Sequence, residues 1–154
     1  MTMKVFKINN GENKLEIFLP DTTTEIELPL VGAKLKAGFP SPADDYVEER
    51  LDLNKYLIKN PASTFFARVS GDSMIGAGIY DGDILIIDRS VQPREQSILV
   101  CAIDGEFTIK RIKKIDEDTI YLMPDNPDFE PIKVSRDNDL IIWGTVIYSV
   151  HKHF

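Results

Sequence analysis

The chain has 154 residues, enough for one domain with a sizeable core and a short additional arm. Its formal net charge of −7 disfavours DNA binding by the general surface, and its single cysteine excludes an internal disulfide or a cysteine-based metal site. No segment approaches the ~20 apolar residues of a membrane span, and residues 1–10 lack a signal peptide, so we expect a cytoplasmic protein without membrane contact.

The N-terminal residues 1–35 are polar and show only weak strand-like alternation. The clearest run is Ile26, Leu28 and Leu30, where Pro29 indicates an edge strand or an extended segment. The segment is shorter than the ~50 residues of the smallest independent domains and has no helix-turn-helix pattern. We therefore predict an arm over residues 1–37, lying on the body or on a partner, before a β-rich domain over residues 38–154.

Ala37 and Gly38 end this arm with two small residues. Small side chains would let the backbone of the Ala37–Gly38 bond enter a protease cleft, and a flexible hinge is the alternative interpretation.

Two short helices are predicted next. Ser41 followed by Pro42 is typical of a helix start, and that helix would include Leu51. Asp52 would cap a second helix, which Pro61 would end.

From Thr64 onward the pattern becomes strand-like, which predicts a mostly β body of short twisted strands. Asp104-Gly105 indicates a two-residue hairpin, and Gly144 is expected to kink the last strand. The C-terminal tail, which contains His151 and His153, is expected to be free. These two histidines are not expected to bind a metal, because no further Cys or His completes a site with them. Strands are expected near residues 64–69, 83–88, 97–103, 107–109, 119–123, 132–134 and 140–150.

Ser73 and Lys110 carry the candidate chemistry. Ser73 lies in a tight turn after an apolar strand, and Lys110 lies in a strand-like run. A serine hydroxyl needs a base, and a lysine can serve if burial lowers its pKa from about 10.4. The alternation slips at Lys110, because Ile112 is out of phase with the preceding apolar residues, which predicts a bulge or a change of sheet face.

The turn around Ser73 also offers stabilising groups. The backbone N–H of Ser73 and the neighbouring amides, those of Gly71, Asp72 and Met74, would support an oxyanion or the turn itself. A serine with a merely structural role in the turn is the alternative. We expect Cys101 to be a small buried side chain.

Several motifs resemble the LexA/UmuD family of self-cleaving serine peptidases. The resemblance runs from about Gly38 to the C-terminus, whereas the arm before Ala37 matches poorly. The motifs are Gly38-Phe39-Pro40-Ser41-Pro42-Ala43-Asp44-Asp45-Tyr46-Val47-Glu48, Asp52-Leu53-Asn54, Ser70-Gly71-Asp72-Ser73-Met74, Asp81-Gly82-Asp83, and Ile103-Asp104-Gly105-Glu106-Phe107-Thr108 with Lys110.

This resemblance implies a LexA-like peptidase fold with one or two short helices and no cofactor. It implies Ser73 as the nucleophile, Lys110 as the general base and Ala37–Gly38 as the bond that is cut. UmuD-type members carry Cys-Gly at the cut, whereas this chain has Ala-Gly, as LexA and related phage repressors do. Because both pairs occur in the family, cleavage is expected to be retained.

The resemblance also implies a role in the SOS response. A RecA–single-stranded DNA filament would stimulate the cut, and the product would join a UmuC-type Y-family polymerase in translesion synthesis. We expect a homodimer, with cleavage in cis or in trans. Two alternatives remain open, namely a non-catalytic β scaffold that binds polymerase or RecA, and a LexA- or phage-repressor-like regulator without its DNA-binding domain.

Overall fold

The computed structural model describes residues 5–10, 13–31, 37–38 and 48–154. One compact unit comprises the described residues up to Pro20 together with Asn60–Phe154, and the other those from Asp21 to Lys59. Among the described residues, the helical elements are α1 (Leu53–Leu57) in the second unit and one 3₁₀ turn (Ile75–Ala77) in the first. In chain order the strands are β1 (Val5–Asn10), β2 (Asn13–Phe18), β3 (Glu27–Val31), β4 (Glu48–Asp52), β5 (Thr64–Arg68), β6 (Ile84–Asp88), β7 (Ile98–Ile103), β8 (Glu106–Lys114), β9 (Ile120–Met123), β10 (Ile132–Val134) and β11 (Leu140–Val150).

The first unit is built on one antiparallel sheet with nine strands in the order β1-β2-β5-β6-β11-β7-β8-β9-β10. The mostly β fold is therefore confirmed, as are the strands expected beyond residue 64. Asp104 and Gly105 both have positive φ, 49° and 88°, which confirms the primed turn between β7 and β8.

The sheet has a buried cluster on each face at β7. Val100 belongs to a cluster with Leu85 and Ile87, whereas its neighbour Cys101 belongs to a cluster with Leu122. Successive strand residues point to opposite faces, so β7 is covered on both sides. This double burial explains its uninterrupted apolar run. It also confirms Cys101 as a small buried side chain, 0% exposed.

The slip in alternation along β8 comes from a change of apolar face. The pairing of β8 with β7 is continuous from Arg111 to Glu106, so of the two predicted explanations the bulge is wrong and the change of sheet face is confirmed. Phe107 and Ile109 pack on the first cluster, whereas Ile112 pairs with Leu122 of the second. Because different clusters cover the two faces, the apolar residues change face without an inserted residue.

The expected irregularity of β11 at Gly144 is confirmed. The register of β11 against β7 shifts between Ile142 and Gly144. A Cβ at Gly144 would lie 2.6 Å from Cγ2 of Ile87, so β11 approaches β6 at a distance that only glycine permits.

The residues predicted as an arm do not form a single element. Strands β1 and β2 form a hairpin that joins the large sheet where Ile17 and Phe18 pair with β5. Strand β3 belongs to the second unit and pairs with β4 alone, which confirms the edge strand at Pro29. The boundary predicted between residues 37 and 38 is the place where the chain would be cut by self-cleavage. The division into compact units does not test that cut, so the boundary stays a prediction.

The second unit corrects one of the two predicted helices. Residues 41–47 lie outside the described residues, and the end of that helix is wrong, because Leu51 lies in β4 and pairs with Leu28 of β3. The cap of the second helix is confirmed, since Oδ1 of Asp52 accepts from the backbone N–H of Asn54 at 2.8 Å. Helix α1 ends at Leu57, before Pro61 is reached.

The C-terminal tail is anchored at His151, so the prediction of a free tail is wrong. Nδ1 of His151 lies 2.5 Å from Oδ1 of Asp83, whose side chain is 2% exposed. The ring of His151 also contacts Tyr80, with centroids 4.9 Å apart. A buried carboxylate needs polar partners, which the tail supplies together with the backbone N–H of Tyr80.

Asp88, at the end of β6, holds a buried polar cluster that we expect to stabilise the first unit. Its carboxylate accepts hydrogen bonds from Asn60, Ser63 and Ser90 at 2.6–2.9 Å. Burial alone would raise the pKa of Asp88, but these hydrogen bonds outweigh it and lower the pKa to about 2. Asp88→Ala should lower the free energy of unfolding by about 3 kcal/mol in urea titrations at neutral pH, because it removes a buried carboxylate together with its hydrogen bonds to Asn60, Ser63 and Ser90.

The carboxylate of Asp88 should also make the free energy of unfolding depend on pH. The pKa of Asp88 falls from 3.8 to about 2 on folding, so its ionisation contributes on the order of 2 kcal/mol of stability above the unfolded pKa. That contribution should disappear as the pH falls from about 5 to below 2. The stability difference between wild type and Asp88→Asn should shrink over this range, and a constant difference would contradict the assignment.

Candidate active site

Ser73 lies in a turn held by contacts on its N-terminal side. Beyond β5, the backbone N–H of Val69 donates to the carbonyl of Asp83 at 2.8 Å. Gly71 has a φ of +93°, which glycine adopts without steric cost, and its N–H donates to Oδ1 of Asp81 at 2.8 Å. The chain then enters the 3₁₀ turn at Ile75. These contacts place Ser73 at the rim of a cleft.

Lys110 of β8 reaches the same point from the sheet. Its side chain is buried, and its Nζ lies 2.8 Å from Oγ of Ser73. Nζ also lies 3.1 Å from Oγ1 of Thr108 and 3.0 Å from the carbonyl oxygen of Ile109. The structure therefore brings together two residues that are 37 positions apart in the chain.

Burial lowers the pKa of Lys110 from its ordinary value of 10.5. The charge of Cys101 would oppose this shift, but burial raises the pKa of that thiol to about 11, so the thiol is neutral at lower pH. Among the described residues, the hydrogen-bond partners of Nζ are two hydroxyls and one carbonyl. The surroundings therefore favour a neutral amine, the form that can accept a proton.

The partners of Lys110 match the hydrogen bonding of a neutral amine. Such an amine has two N–H donors and one lone pair. Thr108, Ile109 and Ser73 can accept three hydrogen bonds from an ammonium; in the neutral form Thr108 and Ile109 accept the two N–H groups, and the lone pair can take the hydroxyl proton of Ser73. The arrangement is suited to general base catalysis at a serine.

Ser73 and Lys110 line a cleft of about 490 Å³, within the range of ligand-binding pockets. Residues 68–74 form one side of the cleft, and the other side is lined by Val100, Phe107, Thr108, Ile109, Lys110 and Phe129. The lining mixes apolar and polar side chains, and the burial of Lys110 within it strengthens electrostatic interactions at the amine.

The turn amides differ in their availability. The N–H of Gly71 is committed to Asp81, so Gly71 supports the turn. Among the described residues, the N–H of Ser73 makes no hydrogen bond and is free to donate to an oxyanion. Asp72 contributes its carbonyl, which accepts from the N–H of Ile75, and the side chain of Met74 is buried in the first cluster.

Ala37 and Gly38 belong to the other unit. Both are exposed and lie in a bend, and among the described residues other than its chain neighbours no atom lies within 4 Å of the position that a Cβ of Gly38 would occupy. The bond between them is therefore accessible, which both a cleavage site and a hinge require.

The sequence analysis missed Thr108 as a partner of Lys110. The signal was present, because residues two apart in a strand point to the same face. It also missed Asp125 and Asn126, whose contacts with the Ser73 turn are long-range. Among the described residues there is no cluster that could hold a metal and no helix long and apolar enough to cross a membrane.

Comparison with known proteins gives a consistent result. The sequence profile of the family described as Peptidase S24-like matches residues 29–147, a range that includes Ala37, Gly38, Ser73 and Lys110. The chain belongs to this family. Membership places it among the serine peptidases, and the resemblance to the LexA/UmuD family is confirmed.

Relatives within the family are similar over most of the chain. Protein MucA of Escherichia coli is 39% identical over 142 residues, which are 91% of this chain and 96% of MucA. Protein ImpA of Escherichia coli is 42% identical over 124 residues, 80% of this chain and 83% of ImpA. LexA repressor 1 of Geobacter sulfurreducens is 36% identical over 127 residues, 82% of this chain but only 61% of the repressor.

Proposed function

We propose that the chain is a UmuD-type self-cleaving peptidase that cuts its own Ala37–Gly38 bond with a Ser73–Lys110 dyad. The observation that carries this proposal is the 2.8 Å separation of Oγ and Nζ at a buried lysine with a lowered pKa. Similarity to MucA and ImpA over most of the chain supports the UmuD-type assignment.

The first step forms an acyl-enzyme. Neutral Lys110 takes the hydroxyl proton as Oγ of Ser73 attacks the carbonyl carbon of Ala37. The N–H of Ser73 donates to the developing oxyanion. The bond from Ala37 to the nitrogen of Gly38 then breaks, and the Lys110 ammonium returns its proton to that nitrogen, which leaves as a free amine.

The second step releases the enzyme. Lys110, again neutral, takes a proton from water, and the resulting hydroxide attacks the ester between Ser73 and Ala37. Ser73 regains its proton from the lysine. The products are an N-terminal fragment with a carboxylate at Ala37 and a domain that begins at Gly38. No cofactor or metal takes part.

The resemblance supports a regulatory part of the proposal. A RecA–single-stranded DNA filament would favour the conformation in which Ala37–Gly38 enters the cleft, which shifts a population and adds no catalytic group. The domain over residues 38–154 would then act in the cytoplasm as a homodimeric subunit of a UmuC-type Y-family polymerase in translesion synthesis.

Regulation is tested at neutral pH, with and without RecA, single-stranded DNA and a nucleoside triphosphate. We expect the fragment beginning at Gly38 to accumulate faster with the complete filament than when the DNA is omitted. Equal rates would contradict regulation by the filament while leaving the chemistry in place. A non-catalytic scaffold predicts an intact chain in every reaction.

A duplex DNA binding assay distinguishes the proposed peptidase from the remaining alternative, a repressor-like regulator. A repressor-like regulator predicts tight binding that weakens steeply with salt. The net charge of −7 favours the opposite result, binding no stronger than that of an acidic control protein in a filter or anisotropy assay. The match to LexA repressor 1 covers 61% of that protein, so it does not carry over the repressor's whole activity.

A further inference from the structure

Arg111 links β8, the strand that carries Lys110, to the loop after β9 that contains Asp125. It follows Lys110 directly on β8, so the two side chains leave opposite faces of the strand. Nε of Arg111 donates to Oδ2 of Asp125 at 2.6 Å in a half-buried ion pair, and Nη1 donates to the carbonyl of Gln96 at 2.9 Å. The Nε contact ties Asp125 to β8, and the contact with Gln96 fixes the orientation of the guanidinium that makes it.

Asp125 in turn holds the turn that carries the nucleophile. Its backbone N–H donates to the carbonyl of Ser73 at 2.8 Å, and its own carbonyl accepts from the N–H of Gly76 at 2.7 Å. A Cβ at Gly76 would lie 2.5 Å from that carbonyl oxygen, so only glycine permits this approach. Asp125 therefore contacts the chain at Ser73 and again three residues later.

Asn126 adds a third contact to the same turn. Its side chain is buried, and its Nδ2 donates to the carbonyl of Asp72 at 3.0 Å. Its Oδ1 accepts from the N–H of Asp128 at 3.0 Å, which fixes the orientation of the amide. The carbonyls of Asp72 and Ser73 are therefore both bound by this one segment.

We propose that Arg111 and Asp125 are positioning residues that hold the Ser73 turn at a fixed distance from Lys110. The direct link between nucleophile and base is one hydrogen bond between two side chains. A shift of about 1 Å in such a pair can slow a reaction about 100-fold. The ion pair and the backbone contacts of Asp125 prevent that shift. This inference rests on the proposed function of the same site.

The test measures self-cleavage rates in the full chain. Asp125→Asn keeps the backbone contacts and the shape of the side chain but removes the charge that Arg111 binds. Arg111→Ala removes both directed contacts, whereas Arg111→Lys keeps the charge without the planar fork. We expect cleavage about 10- to 100-fold slower in Asp125→Asn and Arg111→Ala, and an intermediate rate in Arg111→Lys.

If Arg111 and Asp125 position the Ser73 turn, their loss should also shift the midpoint of the pH–rate profile, which a loss of stability alone would not do. When the Ser73 turn moves away, water reaches Lys110, and the midpoint of the pH–rate profile should rise toward the value of a free lysine. The matched control is Arg136→Ala, which removes the exposed Arg136–Asp118 ion pair outside the cleft. Its rate and pH midpoint should equal those of wild type.

The outcomes separate this inference from the proposed function. Folded Asp125→Asn and Arg111→Ala with wild-type rates and pH midpoints would overturn the inference, as would a loss that follows only the unfolded fraction. If Arg111→Ala fails to fold, Asp125→Asn and Arg111→Lys decide the question. If wild type is not cut, or Ser73→Ala is cut equally fast, the proposed function itself fails.

Discussion

Ser73→Ala is expected to abolish self-cleavage, with a rate loss on the order of 10⁴-fold or more. The substitution removes the hydroxyl of the proposed nucleophile, and water would have to replace it. The fold should survive, because Lys110 keeps its contacts with Thr108 and with the carbonyl of Ile109. Fragment accumulation is followed by gel densitometry, and circular dichroism checks the fold.

The control for this prediction is Ser149→Ala. Ser149 is an exposed serine on β11 that does not line the cleft, so its loss should leave the cleavage rate unchanged. Cleavage of Ser73→Ala at the wild-type rate would show that another group attacks the bond.

Lys110→Ala and Lys110→Arg are both expected to lose cleavage by about 10³-fold or more at neutral pH, since neither supplies a neutral amine. Arginine remains charged at every accessible pH, so it separates the need for a base from the need for a cation. Lys113→Ala is the matched control, because Lys113 is an exposed lysine on the same strand. Initial rates of fragment formation provide the measurement.

The wild-type rate should depend on pH in a defined direction. Only neutral Lys110 acts as a base, so the rate should rise with pH to a plateau whose midpoint lies below the ordinary 10.5. In the window between that midpoint and 10.5 the unfolded chain binds more protons, so stability should also rise with pH. A rate that does not rise with pH below 10.5, or a midpoint at 10.5, would contradict Lys110 as the base.

Short-range signals predicted most of the fold. The bounds of β10 and β11 were predicted correctly because Pro131 and polar residues interrupt the apolar runs on each side. Residues 48–51 were misassigned to a helix because the cap signal at Ser41 is local, whereas the pairing of Leu51 with Leu28 is not. The anchoring of His151 by Asp83, 68 positions away, left no mark on the local pattern.

The site was only partly predictable for the same reason. The residues alone suggested Ser73 and Lys110 as nucleophile and base, but a merely structural turn serine stayed the alternative, and the family resemblance favoured the catalytic pair. The contacts of Asp125 and Asn126 with the Ser73 turn depend on how distant strands are packed. Local periodicity contains no information on such contacts, so a single sequence does not reveal them.

One experiment tests the central claim most directly. Purified wild type and Ser73→Ala are incubated at about pH 10, where a lysine with a lowered pKa is largely neutral, and the intact masses are followed by mass spectrometry. We predict two wild-type products, one ending at Ala37 and one beginning at Gly38, and an unchanged mass for Ser73→Ala. An intact, folded wild-type chain, or a cut at another bond, would contradict the account.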